Sequence, residues 1–232
     1  MTIELRIALP AASQGDPGIE SVGALFDGEG GGELPVLFAH GSGAGMEHPF
    51  MAAVAGALAA RGHPVLRFRY PYMERMAAGT NRRPPDRFPV LEPAHRAAAA
   101  ALAERTGGAV PVFLGKSMGC RVGAKLAVAG VPCRGLAFLG YPLHPPKKPD
   151  KQRTEDFPAL TLPALFVQGT RDALCDLTLL EAALPRYAGD ATLEVVEGAD
   201  HGFSVLARLK RTADEVHADL AQRVHTWTQT LA

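Results

Sequence analysis

Val110-Pro-Val-Phe-Leu-Gly-Lys-Ser-Met-Gly-Cys-Arg-Val-Gly-Ala-Lys-Leu-Ala-Val-Ala-Gly130 contains the turn on which the reading of the whole chain rests. An apolar run typical of a buried strand ends at Gly115, and an Ala-rich run with helical spacing begins at Met118. Between them lies Gly115-Lys116-Ser117-Met118-Gly119, a G-x-S-x-G in which the serine must occupy a sharp strand-to-helix turn. Glycines on either side let strand and helix approach closely. In a chain with 25 glycines the pentapeptide alone is a weak signal, and its strand-to-helix context is what gives it weight.

Working outward, short runs rich in Val, Leu and Phe alternate with longer Ala-rich stretches, the pattern of a buried parallel sheet with helices on both faces. Strands are predicted over Glu4 to Leu9, Ser21 to Phe26, Pro35 to His40, Pro64 to Tyr70, Val110 to Gly115, Gly135 to Tyr141, Ala164 to Gly169 and Thr192 to Val196. Helices are predicted over Pro49 to Ala60, Val90 to Arg105, Met118 to Ala129, Leu177 to Leu184 and Phe203 to Thr230. The first two strands are joined by AASQGDPG, too short for a helix, which predicts an antiparallel edge. Two proline-rich segments, Pro71 to Pro89 and Pro142 to Pro163, read as irregular. Both leave strand carboxyl ends, where open α/β sheets bind ligands, so they are expected to wall the site. Neither is long enough for a folded cap. The 232 residues suit one α/β domain with a mostly parallel eight-stranded sheet.

A serine hydroxyl is a poor nucleophile near neutral pH and needs a base, itself oriented by a third group. After a G-x-S-x-G the partners follow in the order acid, then histidine. ALFVQGTRD supplies Asp172 just past one strand, and LEVVEGADHGF supplies His201 just past the next. Taken singly, Asp172 reads equally well as a turn residue or cap, and His201 as a loop histidine. Asp176 is the nearest alternative acid but has the look of an N-cap, and Asp200 is awkwardly adjacent to His201.

Acyl transfer also needs donors aimed at the developing oxyanion. The Met118 N–H is one candidate; the other comes from HGSGAG, with Ser42 first and Gly43 second. A phosphate-cradling loop fits less well, since neither GxGxxG nor the Walker lysine spacing is met. His40 is expected to stabilise the glycine loop by hydrogen bonding, His48 to belong to the entrance of the next helix, and Cys120 to be buried. Lys116, Arg69, Arg75, Arg82, Arg83, Arg87, Lys147, Lys148 and Lys151 crowd the expected rim. They suggest either an anionic substrate or solvated loop charge, and the second reading is favoured. Lys116, Arg69, Tyr70 and Tyr141 are the candidate substrate contacts.

Lys plus Arg equals Asp plus Glu at 24 each, leaving no electrostatic footprint for nucleic acid or an anionic membrane. Glu4 and Arg6 interrupt any signal-like apolar core, and the Ala52 to Ala60 stretch is too short to span a bilayer. Cys120, Cys133 and Cys175 lack metal-binding spacing and are odd in number. A cytoplasmic protein acting on a small acyl substrate, without cofactor or metal, is expected. Oligomeric state is not addressed by the pattern.

The chain resembles the α/β-hydrolase superfamily, and within it capless dienelactone-hydrolase-like proteins and small esterases. HGSGAGMEHPFM, RFRYPYME, GKSMGCR, GYPLHPPKKP, QGTRD and GADHGF carry a closer resemblance. It is to a group of small hydrolase-like proteins that includes a testis-expressed animal protein and a subunit of a chromatin acetyltransferase complex. Dienelactone hydrolases use cysteine where this chain has Ser117, so their substrate does not carry over. The resemblance implies an α/β-hydrolase fold and a Ser117–Asp172–His201 triad for an ester or thioester. Peptide or amide cleavage by the same triad, or a non-catalytic interaction module on the same fold, are the other readings.

Overall fold

The computed structural model describes residues 1–10, 18–28, 32–79 and 83–231, so most of the AASQGDPG link, and Arg82, lie outside the described residues. Eight strands run β1 (Thr2–Ala8), β2 (Ser21–Asp27), β3 (Val36–Ala39), β4 (Val65–Phe68), β5 (Val112–Lys116), β6 (Leu136–Leu139), β7 (Ala164–Gly169) and β8 (Ala191–Val196). They make one sheet in the order β1-β2-β4-β3-β5-β6-β7-β8. β1 and β2 pair antiparallel, and β2 meets β4 antiparallel; β4 through β8 then pair parallel. Six helices are α1 (Pro49–Ala59), α2 (Pro71–Ala77), α3 (Phe88–Arg105), α4 (Met118–Val128), α5 (Leu177–Ala183) and α6 (Ala213–Thr228). This is the α/β-hydrolase fold that the resemblance implied, with no cap among the described residues. No described helix is long and apolar enough to cross a membrane.

Strand alternation sorts the core into two layers. Val36 and Phe38 of β3 join the cluster of α1 and α6, with Val54, Leu58, Leu220 and Trp227. Leu37 and Ala39 face the other way, toward Leu91, Ala98 and Leu102 of α3 and Val122 and Leu126 of α4. Because both faces are covered, β3 is fully buried and reads as a continuous apolar run.

Two helix expectations are corrected. Pro71 to Ala77, expected to be irregular, is α2: Pro71 occupies the first turn and buries Tyr72 and Met73 beside it. Seven residues are too few to display a helical period. The terminal helix begins at Ala213, not near Phe203. Phe203 stands at φ +62°, and the Asp200 carboxylate accepts the N–H groups of Gly202 and Ser204, giving that segment a local alternative to helix. The start belongs to a capping box, in which Thr212 Oγ1 accepts from the Glu215 N–H and the Glu215 carboxylate accepts from the Thr212 N–H.

Candidate active site

Ser117 stands where β5 breaks into α4, at φ +53° and ψ −110°, left-handed backbone that costs a non-glycine residue about 1–3 kcal/mol. The neighbouring glycines allow it: a Cβ on Gly115 would lie 2.4 Å from the Cys120 nitrogen, and one on Gly119 2.4 Å from the Ala39 oxygen. A serine at a helix N-cap ordinarily turns its hydroxyl onto the first-turn N–H groups. Ser117 makes no such bond, and its Oγ lies 2.8 Å from His201 Nε2. His201 Nδ1 is 2.7 Å from Asp172 Oδ2. A carboxylate only accepts, so the proton sits on Nδ1 and Nε2 is left to accept from the serine.

The acid is itself held. The Asp172 side chain is wholly excluded from solvent. Its Oδ1 accepts the Leu174 N–H at 2.7 Å, and its Oδ2 accepts a second bond from Gln168 Nε2 at 2.6 Å. Asp176 instead caps α5 through the Leu179 N–H, and Asp200 is occupied with the turn after it. Lys116 turns its ammonium under the histidine loop, donating to the His201 carbonyl at 2.7 Å and lying 5.5 Å from the centre of the Phe203 ring. Burial pulls that ammonium below the usual lysine range, against the opposing pull of Cys120, Asp172 and Asp200.

Over the serine lies the loop from Gly41 to His48. His40 Nδ1 donates to the Gly41 carbonyl at 2.7 Å, and its Nε2 accepts the Tyr70 N–H at 3.1 Å. The Tyr72 hydroxyl lies 3.1 Å from the Gly41 carbonyl and 3.2 Å from that of Ser42. With these carbonyls tied back, the loop can offer its N–H groups to the cleft. Met118, in the first turn of α4, likewise has no intrahelical acceptor for its N–H. Full burial lowers His40 to about 4, so it stays neutral at physiological pH.

A family model of the alpha/beta hydrolase domain matches residues 33–229. The chain belongs to that family. Three solved structures share its fold. A dienelactone hydrolase from Anabaena variabilis is 19% identical, covering 99% of this chain and 97% of its own at a TM-score of 0.73. An α/β serine hydrolase without lid from Xanthomonas campestris is 19% identical, covering 97% and 94% at 0.66. The esterase domain of a Rhodothermus marinus protein is 15% identical, covering 100% of both chains at 0.70.

In this alpha/beta hydrolase the cleft over Ser117 has a volume of about 330 Å³, and Ser42, Gly43, Phe50, Met51, Leu174 and Lys116 are among its lining residues. No described residue of either proline-rich segment is among those lining that wall, contrary to the expectation. The segment after β6 folds down instead: the Tyr141 hydroxyl donates to the Arg153 carbonyl at 2.7 Å, and Phe157 is fully buried against Tyr141 and Phe166. Tyr141 is therefore not brought to the cleft. Nor is Tyr70, fully buried with its hydroxyl 3.0 Å from His95 Nδ1. Arg69 is spent on Glu47 and Glu74. Of the basic residues expected at the rim, Lys116 alone among the described ones lines the cleft, and its charge points beneath it. A larger surface groove of 990 Å³ between β1 and α3 brings together no nucleophile and base. His48 caps α1 through the Phe50 N–H and borders the cleft.

Gln168 and Tyr72 were not singled out from sequence. Gln168 had a signal, a lone polar side chain in the apolar run ALFVQG; Tyr72 lies in RFRYPYME, which carries part of the resemblance, but in a stretch expected to be irregular.

Proposed function

We propose that this alpha/beta hydrolase cleaves a carboxylic ester or thioester through an acyl-enzyme on Ser117. The observation that carries the reading is the unbroken chain from a strained serine, through His201, to a solvent-excluded Asp172, at 2.8 and 2.7 Å. In the first half-reaction Ser117 Oγ attacks the acyl carbon while its proton passes to His201 Nε2. The carbonyl oxygen, now an oxyanion, faces the Met118 N–H and an N–H of Ser42 or Gly43. One such donor is worth about 3 kcal/mol. Collapse expels the alcohol or thiol, which takes the proton from His201. Water then attacks the acyl-enzyme with His201 again as base, and the acid leaves with Ser117 restored. Asp172 holds the Nδ1–H tautomer and balances the imidazolium; Gln168 and Lys116 are positioning residues, one on the acid and one on the histidine loop.

The cleft supports a small, uncharged acyl group. Its walls are largely apolar, and the one lysine is committed to a backbone carbonyl. The esterase and dienelactone hydrolase among the structural neighbours are in keeping with this chemistry. A fluorophosphonate probe tests it: an adduct on Ser117, lost in Ser117→Ala, with hydrolysis of acetyl to octanoyl esters abolished in the same variant, is the expected result. Absence of labelling on folded wild-type protein, or full turnover by Ser117→Ala, overturns it.

A further inference from the structure

At the far end of the sheet, where β3 and β4 begin, three side chains converge beside the last turn of α6. Glu33 precedes β3, His63 precedes β4 and His225 belongs to α6. One ligand-capable atom from each lies within 4.8 Å of the other two. His63 is buried, and its Nδ1 donates to the Leu34 carbonyl at 2.7 Å. That bond fixes the tautomer and leaves Nε2 with its lone pair pointing at His225 Nδ1, 2.9 Å away. An imidazole anchored at one nitrogen by a backbone carbonyl, with the other nitrogen aimed at further donors, is how proteins orient a metal-ligating histidine. Glu33 is anchored in the same way: Gln229 Nε2 donates to its Oε2 at 2.7 Å, and its stem lies over Gly62.

We propose that Glu33, His63 and His225 form a structural zinc site that clamps α6 to the amino end of the sheet. Two imidazoles and a carboxylate are a donor set for Zn²⁺ and not for Ca²⁺ or Mg²⁺, which take oxygen ligands, and a water completes four-coordination. Binding needs no net loss of a proton. His63 keeps its Nδ1–H, while the His225 proton moves from Nδ1 to Nε2 and frees Nδ1 for the ion. The nearby cation, Arg61, is occupied by Gln222 Oε1 and the Ala57 carbonyl. Two donors at zinc's roughly 2.0–2.2 Å bond lengths stand about 3.4 Å apart around a tetrahedral ion, so the two imidazole nitrogens, now 2.9 Å apart, must part slightly while the Glu33 carboxylate adjusts to face them, movements open to Glu33 and His225, which are only partly buried.

The site lies at the opposite strand ends from Ser117, so it is independent of the hydrolytic reading and separable from it. Calorimetric titration of metal-stripped full-length protein with Zn²⁺ is expected to give one equivalent bound and a Tm raised by several degrees at saturation. Binding should weaken at least tenfold in Glu33→Gln and at least a hundredfold in His225→Ala, with ester hydrolysis within twofold of wild type in both. Co²⁺ titration should produce the visible absorption of a four-coordinate nitrogen and oxygen site in wild type and not in His225→Ala. Equal zinc uptake by wild type and His225→Ala, or no binding by wild type, overturns the proposal.

Discussion

Two loops leave neighbouring regions of the parallel sheet at its carboxyl edge and meet different fates. The one after β3 is short and glycine-rich, and it is tied over Ser117 at three places: by His40, by Tyr72, and by the buried Arg67, which donates to the Met46 carbonyl at 2.7 Å. The one after β6 is long, rich in proline and lysine, and its aromatic residues pull it down onto the face of the sheet, where Phe157 packs on Tyr141, Phe166 and Tyr187. Its departure from a strand carboxyl end and its irregular, proline-rich sequence favoured the second as a wall of the cleft. Burial of large apolar area outweighed both, since a single aromatic side chain is worth about 2–3 kcal/mol when buried. The lesson is that a loop's anchors decide whether it borders a site.

The steepest test of the site is Asp172→Asn. It preserves shape but loses the Nδ1–H tautomer, so kcat should fall by about 10³ to 10⁴ with the fold intact. Steady-state kinetics beside circular dichroism check this, and a loss under tenfold would make another group the orienting acid.

Acid should attack the anchored loop through His40. Burial lowers its pKa from the ordinary 6.5 to about 4, and that of His95 from the same value to about 3. Between those values and 6.5 the unfolded chain binds protons that the folded one refuses, so stability rises with pH across that window and is lost as pH falls. At pH 4 the loss is on the order of 3 kcal/mol for each histidine. Urea unfolding at pH 6.5 and pH 4 measures it; equal midpoints would contradict the burial argument, and His95→Phe should shallow the slope.

Lys116→Met keeps the stem in the cleft wall but frees the His201 carbonyl. A roughly tenfold to hundredfold fall in kcat with little change in KM is expected if the ammonium positions the histidine loop. A rise in KM confined to anionic esters would instead give it a role in substrate binding.

The two loops can be compared directly by removing one hydroxyl from each. Tyr72→Phe releases the Gly41 and Ser42 carbonyls and should lower kcat about tenfold. Tyr141→Phe should cost about 1 kcal/mol of stability and leave kcat unchanged. Smallest of all, Lys147→Gln, Lys148→Gln and Lys151→Gln together should leave KM within about twofold, since none of the three lines the cleft. A larger change in KM would return the β6 loop to the site.

All eight strands were legible because burial on both faces leaves an apolar run with turn residues at its ends, a property of local sequence. The order Ser117, Asp172, His201 was legible for a related reason: each follows a strand, and parallel strands deliver their carboxyl ends to one edge. Periodicity failed where elements were short or caps decided the boundary, as at α2 and at the capping box of Thr212 and Glu215. Only the tertiary structure decided that Lys116 turns inward, that Gln168 steadies the acid, that Arg69 is consumed by Glu47 and Glu74, and that Glu33, His63 and His225 meet at the far end of the sheet. Each of those depends on partners distant in the chain, and a side chain's direction is set by the neighbours that offer it a bond or exclude it from water.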